Sequence, residues 1–152
     1  MFSNLSDFLK EEAPLRIDAS GQCSEHHLRV AAVFLLVEMA RANEEFAAEE
    51  IQQIIEILNN EFDATNMQAG SLIEVADALH NYKGTLSDAI NQLNQCFSDS
   101  QRQRILELLW RVALADDKID RFEVVFGTHI RAALKLSLEQ GVAARVNAER
   151  AM

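Results

Sequence analysis

Pro14 is the only proline in a chain of 152 residues, and just five glycines join it as strong helix breakers. Beyond Pro14 no residue locks φ or lacks a backbone donor, so helices are free to form wherever the side-chain pattern favours them. That pattern repeats every three to four residues almost throughout. Ile51, Ile54, Ile55, Leu58 and Phe62 make one apolar stripe; Leu72, Val75, Ala76 and Leu79 make a second; Leu86, Ile90, Leu93 and Phe97 a third. Ile105, Leu108, Leu109, Val112 and Ala113 continue the series, followed by Phe122, Val125, Phe126, Ile130, Ala133 and Leu134. Each stripe marks a helix that buries one face. Breaks fall near residues 59–66, 82–84, 98–100, 115–120 and 136–137, most of them with Asp, Thr or Ser placed to cap the next helix. The expected fold is all-α. It is a single-domain bundle of about seven helices, or eight with a short N-terminal one, and contains an internal helix-turn-helix repeat.

The segment from about His27 to Ala42 departs from the one-faced pattern, because apolar residues surround nearly its whole circumference. Such a helix has to be packed on several sides, so it is expected at the centre. Its most apolar run, residues 30–37, is far shorter than the roughly 20 residues that span a bilayer, and Glu38 closes it. The first 15 residues carry acids where a signal peptide has a basic flank. Neither a membrane span nor a targeting signal is expected.

A formal net charge of -10 argues against sequence-independent nucleic-acid binding and against anionic lipid, since both need clustered Lys and Arg. Cations or basic protein partners suit the chain better. Cys23 and Cys96 resemble neither a disulfide framework nor a paired metal motif, which points to a reducing compartment and a cytoplasmic protein.

Residues 35–50, "LLVEMARANEEFAAEE", align with residues 108–123, "LLWRVALADDKIDRFE", at a constant offset of 73 positions. Leu35 and Leu36 match Leu108 and Leu109, Ala40 and Ala42 match Ala113 and Ala115, Asn43 matches Asp116, Phe46 matches Ile119, and Glu50 matches Glu123. Each copy reads as a helix end, a short acidic turn, one apolar residue directed at the core, and a second helix with a carboxylate in its first turn. That resembles half of an EF-hand. The register, however, puts Met39 and Arg41, or Val112 and Leu114, where the first and third oxygen ligands belong, so a functional EF-hand is not expected.

The two acidic segments, in this order and at this separation, resemble those of the tellurite-resistance TerB-like family of small all-helical bacterial proteins. The resemblance covers roughly residues 25–145, which makes residues 25–152 a TerB-like helical domain and residues 1–24 an N-terminal helix and lead-in. It implies an all-α bundle, an acidic site linked with metal-ion binding, association with stress or metal-ion response, and no enzymatic activity. The chain departs from the family pattern Ala-Asp-Gly at the helix ends, reading Ala42-Asn43-Glu44 and Ala115-Asp116-Asp117.

If the two halves pack about a pseudo-two-fold axis, Asn43, Glu50, Asp116 and Glu123 converge with Glu38 and offer the oxygen donors that hard divalent cations prefer. These five residues are the expected metal site. The simpler reading makes Glu50 and Glu123 first-turn acids favoured by the helix dipole, with Asp120 and Glu123 forming a capping box. Glu38 lies on a mostly buried helix and needs a partner: Arg41, Arg111 or a cation. Arg111 also has Glu107 four residues before it on the same helix.

Other constellations point to little chemistry. Cys23 and His26 have C-x-x-H spacing, but no second pair completes four zinc ligands. His129 and His80 read as core or cap residues, and Trp110 as packing. No nucleophile elbow and no phosphate-cradling glycine loop occurs. Ser137 and Gln140 form the capping box of a C-terminal helix, in which Gly141 is the weak point. The readings left are a metal-responsive interaction module with a divalent cation and no enzymatic activity, a metal-free scaffold or homo-oligomerisation module, and a metal-dependent hydrolase using the same carboxylates.

Overall fold

A helix with apolar residues on every side has to be enclosed, and Glu25–Arg41 (α1) is. In the computed structural model, which describes residues 25–42, 47–116 and 119–151, every residue from Ala31 to Val37 is buried, as are Leu28, Met39 and Ala40. The enclosure is built by α2 (Ala48–Phe62), α3 (Asn66–Leu79), α4 (Thr85–Cys96), α5 (Asp99–Ala113) and α6 (Arg121–Ala133), all of which pack on α1. Helix α7 (Leu138–Ala151) lies outside this layer against α5 and α6. The seven helices and the absence of strands among the described residues make the fold an all-α bundle, as the periodicity predicts. The expected N-terminal helix, Pro14 and Cys23 lie outside the described residues, as do Asn43–Phe46 and residues 117–118.

Local chemistry sets the helix starts. Thr65 with Gln68, Ser98 with Gln101 and Asp120 with Glu123 form reciprocal capping boxes at α3, α5 and α6. At α7, Ser137 N donates to Gln140 Oε1 at 2.8 Å while Gln140 N donates to Ser137 Oγ at 3.1 Å. Two of the described helix starts lack a side-chain cap: α4 after Gly84, and α2 after Ala47, whose methyl group accepts no hydrogen bond.

Three readings of the sequence change. The apolar stripe of α6 is rotated from its expected orientation: Phe122 and Val125 are exposed, and the buried face is Glu123, Gly127 and Ile130, leading to Leu134. Helical spacing alone does not separate these two rows. The broad indole of Trp110, packed on Gly127, selects the second. His129, on the exposed side with Val125, is no core residue. Val75 of α3 is likewise exposed, the contact being made through buried Ala69 and Ala76 and partly buried Leu72, Ile73 and Leu79. Finally, Cys96 at the end of α4 is buried and disulfide-bonded. Separation along the chain says nothing about proximity in a bundle, and the argument for a reducing compartment that rested on unpaired thiols falls with it.

Candidate functional site

The two repeat copies bring equivalent glutamates to one place. Helix α1 ends at Arg41 and α2 starts at Ala48; α5 ends at Ala113 and α6 starts at Arg121. Glu50 and Glu123 each sit at the third position of the second helix in its copy, and neither side chain is exposed to solvent at all. Capping explains half of Glu123. Its Oε1 accepts the Asp120 amide at 3.1 Å, and its own amide donates to Asp120 Oδ1 at 2.9 Å. Its Oε2 has no such partner. Neither oxygen of Glu50 has a donor in good hydrogen-bond geometry among the described residues, since the cap at that helix is an alanine.

Those three oxygens belong to carboxyl groups that meet each other. Burial is the main reason the Glu50 carboxyl is pushed up from 4.5 to about 8; the close approach of the Glu123 carboxyl and the charges of Glu123 and Asp116 add to the rise, and the nearby Ala47 amide offsets only part of it. Glu123 is also raised by burial, and by the charges of Asp120 and Asp116, against the opposing pull of the Asp120 amide and of the neighbouring Glu50 carboxyl. Among the described residues no basic group contributes to either shift. Two buried carboxyls without a counter-charge are stable only if a proton is shared between them or a cation replaces it.

Of the five residues expected at the metal site, the structure brings Glu50 and Glu123 into contact and places Asp116 close enough for its charge to act on both. Glu38 is elsewhere engaged. Its Oε1 lies 2.7 Å from Nδ1 of His80, which follows α3. One turn on, Arg41 pairs with Asp77, so α1 and α3 are joined by one ion pair and one imidazole–carboxylate contact. Asn43 lies outside the described residues. Among the described residues no group of three or more His, Cys, Asp or Glu side chains is arranged to hold a metal ion.

The sequence reading missed His80 as the partner of Glu38. A signal was present: Glu38 and Arg41 are spaced like Asp77 and His80, with the charges reversed. It also missed buried Glu61 of α2, which pairs with Arg104 of α5. Arg104 also takes Glu107, at 2.6 Å, in place of the expected Arg111.

A family model described as tellurite resistance protein TerB matches residues 29–146, which include both repeat copies and the buried pair. The chain belongs to the TerB family. No curated protein and no solved structure matches it. The TerB match starts within α1 and ends within α7, so all but the first turn of the central helix, and every helix that encloses it, fall inside the family domain. Among the described residues no helix is long and apolar enough to cross a membrane.

Proposed function

We propose that this TerB-family protein is a cation-responsive interaction module whose occupied and empty states differ at the junction of its two repeats. Glu50 and Glu123 would hold a divalent cation, with Asp116 and, from the repeat pattern, Asn43 supplying further oxygens. The observation that carries this reading is the set of three buried carboxylate oxygens, Oε1 and Oε2 of Glu50 and Oε2 of Glu123, that have no hydrogen-bond partner in good geometry among the described residues, while the described charges that act on the pair are all negative. Carboxylate and amide oxygens suit hard ions such as calcium, magnesium or manganese. A bound ion there would neutralise the pair and tie the start of α2 to the start of α6. The proposal assigns no catalytic step to these residues, and Glu38 serves the α1–α3 contact in it.

The formed capping box favours a second reading, in which Glu123 is only a helix cap and the protein a metal-free scaffold. Thermal unfolding of chelator-treated protein, titrated with calcium, magnesium, manganese and zinc, separates the two. An ion that binds only the native state raises the midpoint, by an amount equivalent to about 2.7 kcal/mol at a hundredfold excess over its dissociation constant. The rise is expected to vanish in Glu50→Gln and Glu123→Gln, which keep the side-chain shape and remove the charge. If no ion shifts the midpoint, the scaffold reading stands.

A further inference from the structure

Helix α7 is held from one side only. Ala144 and Ala148 are buried beneath it, and Gly141 lets it approach Arg131, so its inner face is made of small residues. The outer face is different. Leu138 is 72% exposed and Val142 64%, and with Val146 they form a line of large apolar residues along the helix. This line borders two shallow grooves: one beside Trp110, and one on the outer surface of α7 that is mostly apolar, with Asn147 within it, Glu139 at one end and Arg150 at the other. Neither Glu139 nor Arg150 makes an ion pair with another described residue, whereas Arg145 is already spoken for by Glu149 and by the Trp110 ring.

An acid at the start of an apolar helix face and a base at its end make that face complementary to itself when reversed. We propose that the outer face of α7 is the contact through which a second copy of this chain binds, the two α7 helices packing antiparallel about a two-fold axis. With the axis level with the Ala144–Arg145 step, Glu139 of each copy meets Arg150 of the other, and Val146 of each packs over the small side chain of Ala143 in the other. The helix dipoles then run in opposite directions, which also favours the pair. A 14-residue helix is about 21 Å long, and two such helices cover less than the roughly 1,600 Å² of a standard stable interface. The net charge of -10 on each copy opposes association further. The dimer is therefore a weak one, formed at high concentration and at salt sufficient to screen the overall repulsion.

Sedimentation equilibrium of the 152-residue chain, from about 10 µM to about 1 mM in ~0.15 M salt, tests this directly. The wild type should pass from monomer towards dimer across that range, and Val142→Glu should stay monomeric. Glu139→Arg and Arg150→Glu should each weaken association about fivefold or more, because each sets like charges against one another twice per dimer. Joining the two substitutions in one chain should restore it. A chain that is monomeric throughout, or a dimer that ignores Val142→Glu, overturns the proposal, as does a double swap that fails to recover what the single ones lose. Circular dichroism of each variant, whose substitutions are all at exposed positions, confirms that the monomer is folded.

Discussion

Gly127 stands where any side chain would run into the indole of Trp110: a Cβ there would lie 2.5 Å from both Cη2 and Cζ2 of the ring. Trp110 is buried and has Arg145 stacked over its ring, so giving way to a methyl group would disturb both contacts. Gly127→Ala is therefore expected to lose about 1–3 kcal/mol of stability, although alanine is intrinsically the better helix former. Gly70, in the middle of α3, has nothing within 4 Å of its hypothetical Cβ, and Gly70→Ala should gain up to about 1 kcal/mol. Urea denaturation of the two variants checks both signs at once. Gly141 resembles Gly127, since its Cβ would meet Arg131 Cδ at 2.5 Å while that arginine is held by its bond to the Leu136 carbonyl. In sequence a helical glycine reads only as a weak link. The reason for it lies in a neighbour many positions away, Trp110 or Arg131, and no local pattern carries that information.

At the scale of helices, what is local was readable and what is paired was not. The stripes of α2, α4 and α5, the caps at Asp120 and Ser137, and the enclosure of α1 follow from spacing within one segment. The convergence of Glu50 with Glu123 was foreshadowed by the repeat, because similar hairpins pack in similar ways. The choice of Arg104 by Glu61, and of His80 by Glu38, depends on how neighbouring helices are rotated and shifted. Solvent decides what these contacts are worth. Glu61 is buried, so Arg104→Met deprives an enclosed carboxylate of its guanidinium and should cost about 3 kcal/mol. Arg41 and Asp77 are reached by water, so Arg41→Met should cost less than about 1 kcal/mol. Equal losses in chemical denaturation would show that burial does not rank the two.

For the molecule as a whole, the buried pair makes stability depend on pH in a definite sense. In the unfolded chain Glu50 gives up its proton near the ordinary value of 4.5, whereas in the fold it keeps it to about 8. Between those limits the folded state binds more protons, so raising the pH favours unfolding, by up to about 1.4 kcal/mol per pH unit. Below that window both states are protonated and the penalty is absent. Glu123, shifted in the same direction, adds to the effect. Chelator-treated protein should thus become less stable from pH 5 to pH 8, and Glu50→Gln should flatten much of that slope. Guanidinium unfolding at each pH measures it, and parallel profiles for wild type and variant would contradict a strained pair.

The enclosure of α1 has a consequence for the chain before it folds. Its run from Val30 to Val37 contains no polar side chain, and in a nascent or unfolded molecule such a segment is a nucleus for aggregation. Arg29 and Glu38 bracket it as gatekeepers, each ionic while the chain is open. Folding then gives both a second employment, Arg29 at the carbonyl of Phe62 at 2.8 Å and Glu38 at His80, so the residues that guard the segment in transit become its clasps on arrival.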